Sequence, residues 1–342
     1  MRIPQATYRI QFHAGFTFSE AQNIIDYLSN LGISDVYASP IFKASQGSTH
    51  GYDVVDPTQI NPELGTAEDF AKLLAETQKH QMGWLQDIVP NHMAYEPRNL
   101  WLMDVLENGS NSEFFDFFDI NWHHHDPELK GRVLAPWLGE SYGKCLETGK
   151  IKLDYDANGL SVNYYQSKLP VKIESYLTFL THNLDKLRPA NGDNVAVSKI
   201  SEIIDILKDI NHKTQIKDDQ DRSKLVKSLL WKSYSNNSLI KKFIKDKLVE
   251  FNGEIGKPES FILLDNLLSQ QLYRLAFWKV ATEEINYRRF FTVNELISIK
   301  VEELDVFNKT HELIVQLVKE KKITGVRIDH IDGLYDPTKY IN

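Results

Sequence analysis

The stretch Gly325-Val326-Arg327-Ile328-Asp329-His330-Ile331-Asp332-Gly333-Leu334 decides how the chain is read. As a strand running into a loop, it puts Val326 and Ile328 on one face and Arg327 and Asp329 on the other, because strand side chains alternate. A cation and a carboxylate then share a face. In a barrel of parallel strands wrapped by helices, the apolar face meets the helices and the ionic face points inward. The carboxyl end of such a strand is where barrel enzymes keep their chemistry. Taken alone, an Arg-x-Asp is equally a structural ion pair at a strand end, so the rest of the chain must decide.

Upstream, residues 6–12 alternate with Tyr8, Ile10 and Phe12 on one side and predict a first strand. Ser19 is placed to cap a helix whose apolar face is Ile24, Ile25 and Leu28, with Gly32 at its stop. Asp35-Val36-Tyr37-Ala38 reads as a short buried strand. A long loop around Ser48-Thr49-His50-Gly51-Tyr52-Asp53-Val54 follows. Thr66 and Asp69 then have capping-box spacing ahead of Phe70, Leu73, Leu74 and Thr77, which predicts a second helix to about His80. Gly83-Trp84-Leu85-Gln86-Asp87-Ile88-Val89 is a third strand, broken at Pro90. Strand, helix, strand in repetition is the signature of a parallel sheet.

The alternation stops after residue 92. Residues 93–190 are rich in Trp, Phe, Tyr, Gly and Asp, with a turn at Asp156-Ala157-Asn158-Gly159, and are expected to form a loop-rich inserted subdomain. Residues 191–285 read as a charged helical insertion, with turns at Asn191-Gly192-Asp193 and Asn252-Gly253. An amphipathic helix there carries Leu264, Leu267, Leu268, Gln271, Leu272 and Leu275. Residues 286–342 resume the scheme. A helix striped by Leu304, Phe307, His311, Ile314, Leu317 and Val318 delivers the chain to the fourth strand, and His311 is read as a packed histidine. The predicted fold class is therefore α/β. Residues 1–92 supply three β/α units of a (β/α)8 barrel, and strands 1–4 form its N-terminal half with a long insertion after strand 3.

Composition narrows the function. The 342 residues carry a formal net charge of -8, which argues against a nucleic-acid partner, and no long uncharged apolar stretch suggests a membrane one. One cysteine, Cys145, excludes an intrachain disulfide and suits a reducing, cytoplasmic setting. The triplet His123-His124-His125 before Asp126 is not a convincing ligand set, since adjacent residues point different ways. The run 217–247 is a mixed-charge solvated surface. No metal and no cofactor is expected.

Asp87 and Asp329 end consecutive parallel strands, so both carboxylates reach one mouth, with Arg327 alongside. Paired carboxylates with an arginine suit a reaction through an oxocarbenium-like state, because one must stay ionised to attack or stabilise the sugar carbon. At this point Asp87-Ile88-Val89-Pro90-Asn91-His92 and Gly325-Val326-Arg327-Ile328-Asp329-His330 resemble the first two signature regions of the α-amylase superfamily, glycoside hydrolase family 13. Thr7-Tyr8-Arg9-Ile10-Gln11, the Ser48 to Val54 loop, Gln271-Leu272-Tyr273-Arg274-Leu275-Ala276 and Ile285-Asn286-Tyr287-Arg288-Arg289-Phe290-Phe291 extend the likeness across the chain, and within the family it is closest to the trehalose-forming branch.

The resemblance implies that Asp329 is the nucleophile and that Arg327 orients and acidifies it. Asp87 would brace the end of the third strand, His92 would bond a sugar hydroxyl, Tyr52 would stack on that sugar, and His330 with Asp332 would face the acceptor. Asn91 matches a calcium-ligand position of some amylases, without an accompanying ligand set. Two positions depart from the branch: Thr292, where Asp is usual, and Ile331, where Pro is common. The implied reaction is a retaining double displacement on a malto-oligosaccharide, turning its reducing-end α-1,4 link into an α,α-1,1 link. The family's acid/base Glu and a further His-Asp pair would follow Asn342, so the chain is expected to be truncated and inactive alone, with a second polypeptide carrying the other half as a conceivable partner. The rival readings are an α-amylase-type hydrolase and a non-catalytic glucan-binding remnant.

Overall fold

Four strands, β1 (Thr7–Ile10), β2 (Asp35–Ala38), β3 (Gly83–Ile88) and β4 (Gly325–Ile328), lie side by side in that order, every neighbouring pair parallel. They belong to a computed structural model that describes residues 3–187, 195–210 and 216–342, without the side chains of 216–220. The register aligns Arg9 with Tyr37, Tyr37 with Leu85, and Asp87 with Arg327. Alternation then sorts the sheet into two chemistries. One face carries Ile10, Val36, Ala38, Trp84 and Ile88, all buried in a single apolar cluster. The other carries Arg9, Tyr37, Asp87 and Arg327. One polar residue on the apolar side, Gln86, is satisfied there: its amide donates to the Ser39 carbonyl at 3.0 Å, and Trp84 Nε1 donates to its Oε1 at 3.1 Å.

Helices cover the apolar face. Between β1 and β2 the chain forms two short helices, Phe18–Gln22 and Ile25–Asn30, rather than one. Ser19 is not the cap; Thr17 is, and Glu20 reaches back to accept from the Thr17 N–H at 2.8 Å. Helix α1 (Ala67–Lys79) opens as expected. Thr66 Oγ1 accepts from the Asp69 N–H at 3.1 Å, Asp69 Oδ2 accepts from the Thr66 N–H at 2.9 Å, and Phe70, Leu73, Leu74 and Thr77 are buried. Helix α2 (Leu304–Lys319) buries Val306, Thr310, His311, Ile314 and Leu317. The face is rotated from the expected stripe, leaving Leu304 and Val318 exposed. His311 is packed as expected, with Nε2 2.6 Å from Tyr340 Oη, and burial lowers its pKa. Val326 is 38% exposed, because among the described residues β4 is an edge of the sheet.

The chain divides into two compact units, one of residues 1–100, 116–119 and 288–342 and one of residues 101–115 and 120–287. In the second unit, Ile151–Asp156, Gly159–Tyr164 and Ser167–Pro170 form an antiparallel sheet whose first hairpin turns at the predicted Asp156 to Gly159 site. Gly159 has φ +109°, and an added Cβ would lie 2.2 Å from Tyr176 Oη, so only glycine fits this turn. Helices Val195–Ile210, Ile216–Asn236 and Ser238–Asn252 follow. The predicted turn Asn191-Gly192-Asp193 lies outside the described residues.

The expected amphipathic helix stops at Ser269, and Leu275 belongs to strand Tyr273–Phe277, which pairs in parallel with Val133–Leu138. A short apolar run fits either period, and Gln271 is where they part. Its buried side chain accepts from the Lys172 N–H at 2.8 Å and donates to Ser175 Oγ at 3.1 Å, holding the chain out of the helix. That parallel pair joins segments 93–190 and 191–285, read from sequence as separate, within one unit. No helix among the described residues is long and apolar enough to cross a membrane.

Candidate active site

The ends of β3 and β4 bring together the two carboxylates that the sequence analysis paired. Arg327 and Asp87 are register partners, and the Asp329 N–H continues the ladder to the Ile88 carbonyl at 2.9 Å. Arg327 Nη1 donates to Asp87 Oδ1 at 3.1 Å and to Asp329 Oδ1 at 2.5 Å. One guanidinium nitrogen thus serves two carboxylates. Burial alone would pull the arginine pKa down, but the bonds to Asp329 and Asp87 outweigh it and hold it above the usual value. The arginine is a fixed cation.

Asp87 is fully buried, which a carboxylate tolerates only when its oxygens are bonded. Beside Arg327, its Oδ2 accepts from Tyr37 Oη at 2.9 Å and Tyr52 Oη at 2.6 Å. Burial first, and the bond to Asp87 second, push the Tyr52 phenol up to about 12, so it stays a donor throughout the working range. Arg9 Nη2 donates to Tyr52 Oη at 3.2 Å, and the Arg9 guanidinium sits 5.6 Å from the Tyr37 ring centroid. The result is a chain of contacts, Arg9 to Tyr52 to Asp87 to Arg327 to Asp329, through β1, the loop after β2, β3 and β4, with Tyr37 of β2 joined to it at Asp87.

Tyr37 and Arg9 were missed by sequence reasoning. The alternation rule that singles out Arg327 and Asp329 also puts Arg9, Gln11 and Tyr37 on the polar face, so the signal is present in the sequence, where the first strand is read only for its apolar side. Tyr52 reaches Asp87 because its loop is tightly folded. Ser48 Oγ donates to Asp53 Oδ1 at 2.5 Å and accepts from the Gly51 N–H at 3.0 Å, and Gln11 Nε2 donates to the Thr49 carbonyl at 2.7 Å.

His92 lies on the short strand His92–Ala94, which pairs antiparallel with Leu296–Ser298. It is 1% exposed, with Nε2 3.2 Å from the Tyr52 carbonyl and its ring 4.6 Å from that of Phe290. A carbonyl only accepts, so Nε2 carries the proton and Nδ1 presents a lone pair. Among the described residues Nδ1 is buried without a partner. Burial lowers the pKa to about 4, opposed by the negative charge of Asp329, so the imidazole is neutral near pH 7.

After β4 the backbone turns through His330 in the left-handed region, φ 49° and ψ 47°, a conformation few non-glycine residues adopt. The His330 ring lies 4.8 Å from both Phe290 and Phe291, and its Nδ1 is 3.5 Å from Asp332 Oδ1. The Asp332 side chain is 86% exposed. The Gly333 carbonyl accepts from Asn91 Nδ2 at 2.8 Å and Arg288 Nη1 at 2.6 Å, and Arg288 Nε also donates to Asp119 at 2.7 Å. The Asn91 amide therefore ties the loop after β3 to the loop after β4. Five of the seven predicted residues, Tyr52, Asp87, His92, Arg327 and Asp329, form one connected cluster, with His330 reached from His92 through Phe290 and Asp332 at the solvent edge.

Residues 21–147 match the family model of the α-amylase catalytic domain. With the α/β fold and the paired carboxylates at the strand ends, that match over part of the chain makes it similar to the α-amylase superfamily. Along nearly its whole length it is similar to maltooligosyl trehalose synthases. A Mycobacterium tuberculosis protein provisionally so named is 29% identical over 343 residues, covering 98% of this chain and 32% of that protein. The structure of the Arthrobacter ramosus maltooligosyltrehalose synthase is 29% identical with a TM-score of 0.67, over 98% of this chain and 32% of that one. The glycosyltrehalose synthase designated DSM5389 is 34% identical with a TM-score of 0.65, over 98% and 34%. The chain spans about a third of the length of the curated relative it matches end to end.

Proposed function

We propose that the chain is the nucleophile-bearing part of a retaining transglycosylase that isomerises the reducing-end α-1,4 link of a malto-oligosaccharide to an α,α-1,1 link. The observation that carries this is Arg327 held between Asp87 and Asp329 at the carboxyl ends of adjacent parallel strands. Asp329 attacks the anomeric carbon of the penultimate residue, and its carboxylate becomes the glycosyl ester as the bond to the terminal glucose O4 breaks. A carboxylic acid on a later strand of a completed (β/α)8 barrel protonates that oxygen. Retention places the two carboxyls about 5–5.5 Å apart. The released glucose turns, and its anomeric hydroxyl attacks the ester carbon while the same acid/base takes the proton.

Within this scheme Arg327 keeps Asp329 ionised and aimed, and Asp87 fixes Arg327. Tyr52 presents a ring face to the sugar while its hydroxyl is anchored on Asp87. His92, His330 and Asp332 line the donor and acceptor sides. Water must be kept from the ester for isomerisation to win over hydrolysis.

The test is to trap the intermediate. Full-length protein treated with a 5-fluoro-α-glucosyl fluoride is expected to gain one glycosyl mass on the peptide carrying Asp329, and label on any other carboxylate would sink the assignment. Product analysis with maltopentaose separates the rivals. A non-reducing product of unchanged mass supports the isomerase, new reducing ends indicate a hydrolase, and binding without turnover indicates a remnant.

A further inference from the structure

In the second unit a cavity of about 510 Å³ opens beside strand Tyr273–Phe277, and two arginines, Arg132 and Arg274, line it. The parallel register pairs Arg274 with Leu134, so by alternation Arg132 and Arg274 share a face of the two-stranded sheet. Two guanidinium groups lining one cavity repel each other unless anions separate them. Arg274 has its anion, since Nη1 donates to Glu284 at 2.6 Å. Arg132 bonds no carboxylate: among the described residues its one side-chain hydrogen bond is from Nη1 to the Ser269 carbonyl at 3.3 Å, and its Nε is buried with no acceptor. Neither carboxylate on the cavity wall bonds it, and Glu128 acts on it through charge alone. Asp265 accepts from Tyr142 Oη at 2.6 Å, and Glu128 lies exposed.

Burial pulls the Arg132 pKa down, with Glu128 raising it and Arg274 lowering it further by smaller amounts. A half-buried guanidinium with most of its donors idle beside a second guanidinium is the arrangement that bidentate phosphate recognition uses. The cavity is larger than a bare ion needs and lies in the size range of small-molecule sites, and Phe277 gives it an aromatic wall. We propose that this cavity binds a phosphate group, carried by a phosphorylated monosaccharide or free in solution, with Arg132 as its principal anchor. The proposal is independent of the roles given to Asp329 and its neighbours.

The experiment is calorimetric titration of the full-length protein with inorganic phosphate, glucose 6-phosphate and glucose, repeated on Arg132→Gln and on Asp329→Asn. Saturable binding of glucose 6-phosphate is expected, at least 10-fold weaker in Arg132→Gln and unchanged in Asp329→Asn. Inorganic phosphate binding equally well makes the bare anion the ligand; tighter binding of the sugar phosphate makes Phe277 a sugar platform. Either outcome supports the phosphate site. No saturation with either phosphate at millimolar concentration, glucose binding in their place, or equal affinity in Arg132→Gln overturns it. Should Arg132→Gln fail to fold, phenylglyoxal labelling of the unaltered protein decides. Arg132 is expected to react and to be protected by glucose 6-phosphate, and modification that proceeds unchanged in its presence overturns the proposal.

Discussion

His92 couples the stability of this site to pH. The imidazole is 1% exposed and its pKa is lowered to about 4 in the folded chain, chiefly by burial. The unfolded chain returns it to about 6.5. Between those values the unfolded state binds the extra proton, so stability rises with pH across the window and is fully present above about 6.5. A shift of this size corresponds to about 3 kcal/mol as an upper figure. Thermal melts of the full-length protein from pH 7 to pH 4 are expected to show a steeper loss of midpoint than those of His92→Gln, whose amide can still donate to the Tyr52 carbonyl. Parallel curves would remove His92 from the account. Asp87 and Arg327 show the opposite solution to burial at the same scale. Their charges are kept because each is paired and bonded; Asp87 is fully buried while the Arg327 side chain is 41% exposed, so removing Arg327 leaves the buried carboxylate without its cation.

The loop after β2 converts local backbone chemistry into site geometry. Gly51 has φ +80°, and an added Cβ would lie 2.6 Å from the Pro40 carbonyl oxygen. Neither the conformation nor the space admits a side chain, and backbone cannot rotate away as a side-chain tip can. Gly51→Ala is therefore expected to cost about 1–3 kcal/mol and to move Tyr52, the next residue, off Asp87. The enzyme should lose more than 10-fold in kcat/KM in addition to a lower melting midpoint, and unchanged kinetics would show that the Tyr52 to Asp87 bond does not matter to turnover. Elements of this kind mark where sequence was legible. The capping box of α1 is local, fixed by Thr66 and Asp69 three positions apart, and could be read directly. Arg327 and Asp329 were legible because strand parity is local too. The end of helix Ile262–Ser269 was not, because Gln271 is held out of it by Lys172 and Ser175, about a hundred residues away in sequence. Tyr37 and Arg9 fall between these cases: parity placed them on the polar face, but their tie to Asp87 needs the register of three strands.

At the scale of the molecule, the four-stranded sheet has β1 at one edge and β4 at the other. A closed (β/α)8 barrel has no edges, and its carboxyl-end chemistry draws on the ends of several different strands. Asp329 directly follows the strand that is, among the described residues, an edge of the sheet, so the residue proposed as nucleophile is bordered by Asp87 on the inner side. A retaining mechanism needs a second carboxyl on the far side of the sugar, and Asp87 cannot serve, because its oxygens are already committed to Tyr37, Tyr52 and Arg327. Asp329→Asn is therefore expected to leave less than about 1% of the turnover of maltopentaose, since loss of a catalytic group typically costs 10²-fold or more, and Asp87 should not rescue it. Turnover of maltopentaose retained in Asp329→Asn would overturn the assignment of Asp329 as the nucleophile.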